Sequence, residues 1–269
     1  MTKTKCYAIF DVLKNKTFAE IWLLLQEELR EYTEEQKEEK KNVNWDFEWR
    51  NRLLVSMANP DEERINKKEN KIKIQDIMDW RKKRIEEAKI KERPNGVKAV
   101  SYILSYSPEK EGNMPISKWC KKNKEFAIKK HGLQNIMNMV YHGGEKTGHI
   151  HLMALPIVIP EKGRFKGQER MDAAGFIGGK GKMIQAHTDY AQEMAIFGLE
   201  RGQNGSLAKK ISPQEYYTNQ TEEKNHQERK KMYALIARLK LKLKKVKKWI
   251  EEKGLEKELN NILKGTEIA

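Results

Sequence analysis

Residues 133–160 read LQNIMNMVYHGGEKTGHIHLMALPIVIP. Two apolar runs flank GGEKTG (143–148), whose glycines suit a hairpin loop. The runs therefore predict two antiparallel strands. In a strand over 147–157 successive side chains alternate faces. His149 and His151 then share one face, while Ile150, Leu152 and Ala154 point the other way, into a core. His142 ends the preceding strand. Across a short hairpin, the end of one strand lies beside the start of the next. The three imidazoles can thus converge on one point, with Glu145 at its rim.

The flanking sequence extends this hairpin into a sheet. VKAVSYILSYS (97–107) reads as a further strand, and PISKWCKKNKEFAIKKHG (115–132) as a helix stopped by Gly132. Strand, helix, strand, strand over 97–159 predicts an α+β fold, an antiparallel sheet with helices packed on it. KCYAIFDVL (5–13) is a short N-terminal strand. From about 17 to 40 the chain reads as one helix, with Ile21, Leu24, Leu25, Glu28 and Leu29 along its apolar stripe. NVNWDFEWRNRLLVSMANP (42–60) carries turn residues and two tryptophans, Trp45 and Trp49. Residues 61–92 are charged and in part helical. A glycine-rich stretch (173–182) precedes a helix over about 183–197 ending at Gly198, and then a polar loop, LERGQNGSLAKK.

From about 222 a long helix is expected. Met232, Ile236, Leu239, Leu243, Val246 and Ile250 alternate spacings of four and three, a heptad seam that could pair two copies of the chain. Between 226 and 253 there are eleven basic residues against three acidic ones. The reading divides the chain into residues 1–218, with a charged helical insertion near 30–92, and a basic C-terminal helix over 219–269.

The net charge of +15 over 269 residues favours a polyanionic partner, most simply nucleic acid. Two cysteines, Cys6 and Cys120, exclude a disulfide framework and suit a reducing cytoplasm. The N-terminal residues lack the apolar run of a secretory signal, and no apolar window is long enough to span a bilayer. Three neutral imidazoles, His142, His149 and His151, form a common ligand set for a divalent ion; ligand count alone does not separate zinc, manganese and magnesium.

HGGEKTGHIHLMALP (142–156) resembles the metal-site signature of plasmid mobilisation relaxases of the Mob/Pre type, members of the HUH single-strand endonucleases. Three histidines, a glutamate and Pro156 match; an aspartate and a proline of that signature are replaced by Gly144 and Gly148. QAHTDYAQEMAIFGLERGQNGSLAKK (185–210) resembles the same family's following helix and loop. The resemblance implies a relaxase-like fold and metal-dependent nicking of one DNA strand at a transfer origin by transesterification. It implies Mn2+ or Mg2+ at the histidines, and as partner single-stranded DNA or an origin hairpin. A rolling-circle replication initiator and a non-nicking single-strand-binding protein of the same fold are the alternative readings.

Laid on the family's N-terminal element, the chain puts Arg30 at the arginine position and Glu27 where the family has a nucleophilic histidine. No histidine precedes His131. Three readings follow: Glu27 attacks as a carboxylate, a tyrosine such as Tyr7 or Tyr32 attacks, or nicking has been lost. Glu145 is placed to move a proton or orient a ligand. Arg201, Lys209 and Lys210 are candidate contacts to the DNA backbone.

Overall fold

A computed structural model describes residues 5–40, 43, 45–57, 72–145 and 147–202, and most of 230–255. The described residues between 5 and 202 form eight strands and six α-helices: β1 (Tyr7–Asn15), α1 (Phe18–Leu29), α2 (Glu34–Glu39), β2 (Arg52–Ser56), α3 (Ile74–Glu87), β3 (Ala99–Tyr106), α4 (Ile116–His131), β4 (Ile136–His142), β5 (His149–Ala154), β6 (Ile157–Val158), β7 (Arg170–Met171), α5 (Ala173–Ile177), α6 (Gly179–Met194) and β8 (Glu200–Arg201). The main sheet runs β2-β4-β5-β3-β1-β8. All neighbours are antiparallel except β8, which adds a two-residue parallel edge to β1. The α+β expectation holds.

The period of two in β5 divides the sheet into two faces. Ile150, Leu152 and Ala154 join Val100, Tyr102, Leu104 and Tyr106 of β3 in the larger core, closed by Trp119 and Phe126 of α4 and Tyr190 and Met194 of α6. On the other face Met153, Val140 and Ala99 pack beneath Ile21, Leu25 and Leu29 of α1 and Ile74, Ile77 and Ile85 of α3. This second cover is partial. Ile9 and Leu13 of β1 lie on that face, in register with Ser105 and Ser101 of β3, and each stays 41% exposed.

Four elements differ from the sequence expectation. The helix expected over 17–40 is two helices. Arg30 adopts the left-handed region at φ 54°, its N–H closes on the Gln26 carbonyl, and Thr33 restarts the chain with a capping box to Gln36. The segment around Trp45 and Trp49, read from sequence only as carrying turn residues, gives a 3-10 helix and then edge strand β2. The strand expected to run through 157 stops at Ala154. Pro156 has no N–H for the ladder, and Ile157 N–H closes a tight turn on the Leu155 carbonyl, so β6 pairs with β7 instead. Finally, α6 begins at Gly179, before the expected 183, and Gly198 at φ 69° ends the following 3-10 turn.

Residues 1–204 and 205–269 form two compact units. In the second, the described residues between 230 and 253 are helical, and Met232, Ile236, Leu239, Leu243 and Val246 are exposed. Among the described residues no helix is long and apolar enough to cross a membrane.

At the C-terminus of α4, His131 is buried, stacked on Phe176 with centroids 4.7 Å apart and bonded to the Tyr102 hydroxyl at 3.0 Å. Burial, helped by Lys130, lowers its pKa to about 3. An unfolded imidazole titrates near 6.5. Below that pH the unfolded chain binds a proton that the folded chain refuses, so the stability present above about pH 6.5 declines toward pH 3. His131→Phe should flatten this slope. The gap between denaturant midpoints at about pH 7 and about pH 5 should be smaller in the variant than in the parent chain, the remainder coming from the other buried histidines.

Candidate metal centre

The β4–β5 register sets His142 directly opposite His149, and His151 stands two residues further along the same face. Ring centroids lie 5.3 Å apart for His142 and His149, 4.8 Å for His142 and His151, and 4.9 Å for His149 and His151. One ring nitrogen from each lies within 4.8 Å of the others. The hairpin has therefore gathered the three predicted ligands.

Backbone carbonyls decide which nitrogens carry lone pairs. His142 Nε2 faces the Glu28 carbonyl at 2.9 Å, so Nε2–H donates and Nδ1 holds the lone pair. His149 Nδ1 faces the Thr147 carbonyl at 3.2 Å, which leaves Nε2 as its lone-pair atom, 3.0 Å from Nε2 of His151. Burial, with the neighbouring imidazoles and Arg30, holds His142 and His151 well below the usual imidazole pKa. Two rings with lone pairs aimed by carbonyl partners, His142 and His149, beside His151 are the donor set a divalent cation needs. The residues present fit the ion.

Arg30 stands against this cluster. Its left-handed backbone, at the end of α1, turns the side chain under the sheet, where it is 2% exposed. One guanidinium nitrogen donates to Glu27 Oε1 at 2.6 Å; the other donates to His142 Nδ1 at 2.9 Å and to Glu145 Oε1. The guanidinium thus occupies the lone pair that a metal ion would take from His142, a bond that the ion would have to displace. Glu27 also accepts from Lys40 Nζ at 2.6 Å and from the Tyr32 hydroxyl. Burial pushes the Glu27 carboxyl up, but Lys40, Tyr32 and Arg30 outweigh it and leave the pKa below the ordinary value. Burial and the adjoining carboxylate raise the Tyr32 hydroxyl.

Glu27, Arg30 and Glu145 therefore form one hydrogen-bonded chain with His142, and Tyr32 ends it. Arg201 is elsewhere. It lies on β8, three strands from β5, or about 14 Å across the sheet. Lys209 and Lys210 lie outside the described residues. Trp45 meets the edge of Tyr32 at 6.1 Å, while Trp49 is exposed beneath Arg50.

One residue of the site was not singled out from sequence. Glu28 is fully buried beneath the histidines, its carbonyl holding His142 and its carboxyl accepting from Asn138 Nδ2 at 2.9 Å. Burial raises its pKa to about 8, moderated by the Asn138 bond. The sequence signal was a glutamate on the apolar stripe of α1. The glycine at 148, where the family signature has proline, also has a local reason. A Cβ there would meet the Tyr141 and Tyr106 hydroxyls at 2.6 and 2.7 Å, and the Gly148 N–H donates to Glu111 at 3.1 Å.

No curated protein matches the chain. The fold matches the MobM relaxase domain crystallised with manganese and a 22-nucleotide oriT DNA of plasmid pMV158, at 17% identity and a TM-score of 0.59, covering 79% of this chain and 99% of that one. A second crystal of that domain, with 22 nucleotides and a 3′ thiophosphate, matches at 16% identity and a TM-score of 0.57, covering 80% and 99%. The family model described as plasmid recombination enzyme, Mob/Pre, matches residues 26–218, and the chain belongs to that family.

Proposed function

We propose that this protein is a metal-dependent relaxase that nicks one DNA strand at a plasmid transfer origin. The observation that carries the reading is the continuous chain from the histidine cluster through Arg30 to Glu27 and Tyr32. A divalent ion held by His142, His149 and His151 supplies Lewis-acid stabilisation of charge on the scissile phosphate. Manganese, present in the MobM crystals, is the first ion to test. The exposed strip of Ile9 and Leu13 beside the histidines offers the DNA strand an open platform on the same sheet face.

The chain's own residues divide the work. Arg30 is a fixed cation with planar donors suited to phosphate oxygens. Glu145 orients Arg30 at the metal's edge. Of the candidate nucleophiles, Tyr32 is favoured over Glu27. The Glu27 carboxylate already accepts from Arg30, Lys40 and Tyr32, so its lone pairs are occupied and its charge is stabilised. Glu27 instead accepts from the Tyr32 hydroxyl and orients it. Tyr32 Oη forms the new bond to phosphorus, the bond from phosphorus to the 3′ oxygen breaks, and the proton lost by Tyr32 is taken up by that oxygen, which leaves as a 3′ hydroxyl. The 5′ phosphate remains esterified to tyrosine. Tyr7 lies on β1, beside β8, where its backbone N–H donates to Ser107.

Single-stranded DNA from the flanking transfer origin, incubated with protein and Mn2+, should give a covalent band on a denaturing gel. His149→Ala and His151→Ala should each lower its rate at least about a hundredfold and abolish the rise in melting temperature that Mn2+ produces in the parent chain. Tight DNA binding by the parent chain without any band would favour the non-nicking reading, which the missing early histidine motivates. Tyr32→Phe should remove the band yet keep the Mn2+-induced melting shift. A band that survives Tyr32→Phe and is lost in Glu27→Ala would assign the attack to Glu27.

The basic C-terminal helix is proposed to pair with a second copy through its exposed heptad seam. Leu239→Glu with Leu243→Glu should then halve the mass measured by light scattering. A parent chain that is already monomeric would end that proposal.

A further inference from the structure

A cleft of about 650 Å³ opens at the end of the sheet away from the histidines. One wall is the turn between α3 and β3; the other is formed by Phe165, β7 and the start of α5. Lys89, Lys91, Arg93, Lys98 and Arg170 line it. Three acids line it as well, but each is engaged inside the protein. Glu92 pairs with Arg81 and Lys98, Glu169 pairs with Arg84, and Asp172 caps α5 through the Gly175 N–H. No ion pair among the described residues engages Lys89, Lys91 or Arg93. The field leaving the cleft is therefore positive.

An aromatic ring stands at its mouth. Phe165 is 40% exposed, and the guanidinium carbons of Arg170 and Arg164 lie 4.8 and 5.6 Å from its centroid. An exposed ring among guanidinium groups, beside unpaired cations, combines stacking for a base with charge for the flanking phosphates. An acidic peptide would use the cations but has no flat ring to set on Phe165. The position also suits a strand already held at the metal centre. Lys98, on the cleft wall, immediately precedes β3, and Ser105 of β3 pairs with His149. The six residue steps from Ala99 to Ser105 span about 20 Å.

We propose that this cleft is a second nucleic-acid contact, with an unpaired base on Phe165 and backbone phosphates on Lys91, Arg93 and Arg170. The inference rests on the strand-nicking reading for the identity of the nucleic acid, a DNA strand that also reaches the histidines. The test is fluorescence anisotropy of the full chain with a labelled single-stranded DNA of about 30 nucleotides, across a salt series. Phe165→Ala should weaken binding about tenfold with an unchanged salt slope, and Phe165→Trp should restore it. Lys91→Ala with Arg93→Ala should reduce the slope of log affinity against log salt by about 1.4, at about 0.7 per cation. Parent-like affinity and slope in these variants would overturn the proposal, as would a loss confined to duplex DNA. A parent chain with no affinity for single-stranded DNA would instead overturn the strand-nicking reading. The Mn2+-induced melting shift should be intact in every variant and reports that the fold and the metal centre are undisturbed.

Discussion

The buried guanidinium of Arg30 is the charge around which the site is organised. A cation removed from water is tolerated only when anions and acceptors surround it. Glu27 comes from the same helix, Glu145 from the β4–β5 loop and His142 from the end of β4. The last two partners tie α1 to the hairpin. They also explain why α1 stops where it does. A continued right-handed helix would carry residue 30 along its axis, whereas the left-handed turn at φ 54° swings the side chain under the sheet. A non-glycine residue in that region costs about 1 kcal/mol or more, and the surrounding ion pairs hold it there.

The two faces of the sheet do different work. The face with Tyr102, Leu104, Ile150 and Leu152 is closed by α4 and α6 and supplies most of the core. The opposite face is only partly covered by α1 and α3, which leaves the outer strip of β1 exposed and His149 partly exposed beside the buried His142 and His151. A rigid, well-packed layer beneath an open one suits a site that must hold three imidazoles in fixed relation while admitting a polymer. Backbone carbonyls from Glu28 and Thr147 complete that rigidity, because each selects one tautomer and so aims one lone pair.

Much of the site could be read in one dimension. The alternation of HIHLMA demands that His149 and His151 share a face, and a short loop demands that His142 lie beside them; both follow from strand geometry alone. The α+β class followed from the order of strands and helix in the same way. The break at Arg30 was not visible, because the surrounding glutamates and lysines are good helix formers and nothing local forbids a longer helix. Strand β2 was also hidden. It is a five-residue edge whose pairing with β4 depends on residues more than eighty positions away.

The sequence by itself determined the histidine hairpin, the basic character and the amphipathic faces, since each depends on residue type and short-range period. Tertiary structure decided which charges meet. Tyr32, Glu27 and Arg30 are close in sequence, yet only the buried arginine, held by Glu145 and His142 more than a hundred residues later, turns them into one chain ending at the metal centre. Desolvation supplies the reason. A guanidinium in water would have no need of these partners, and the same residues on a solvated helix would remain separate charges.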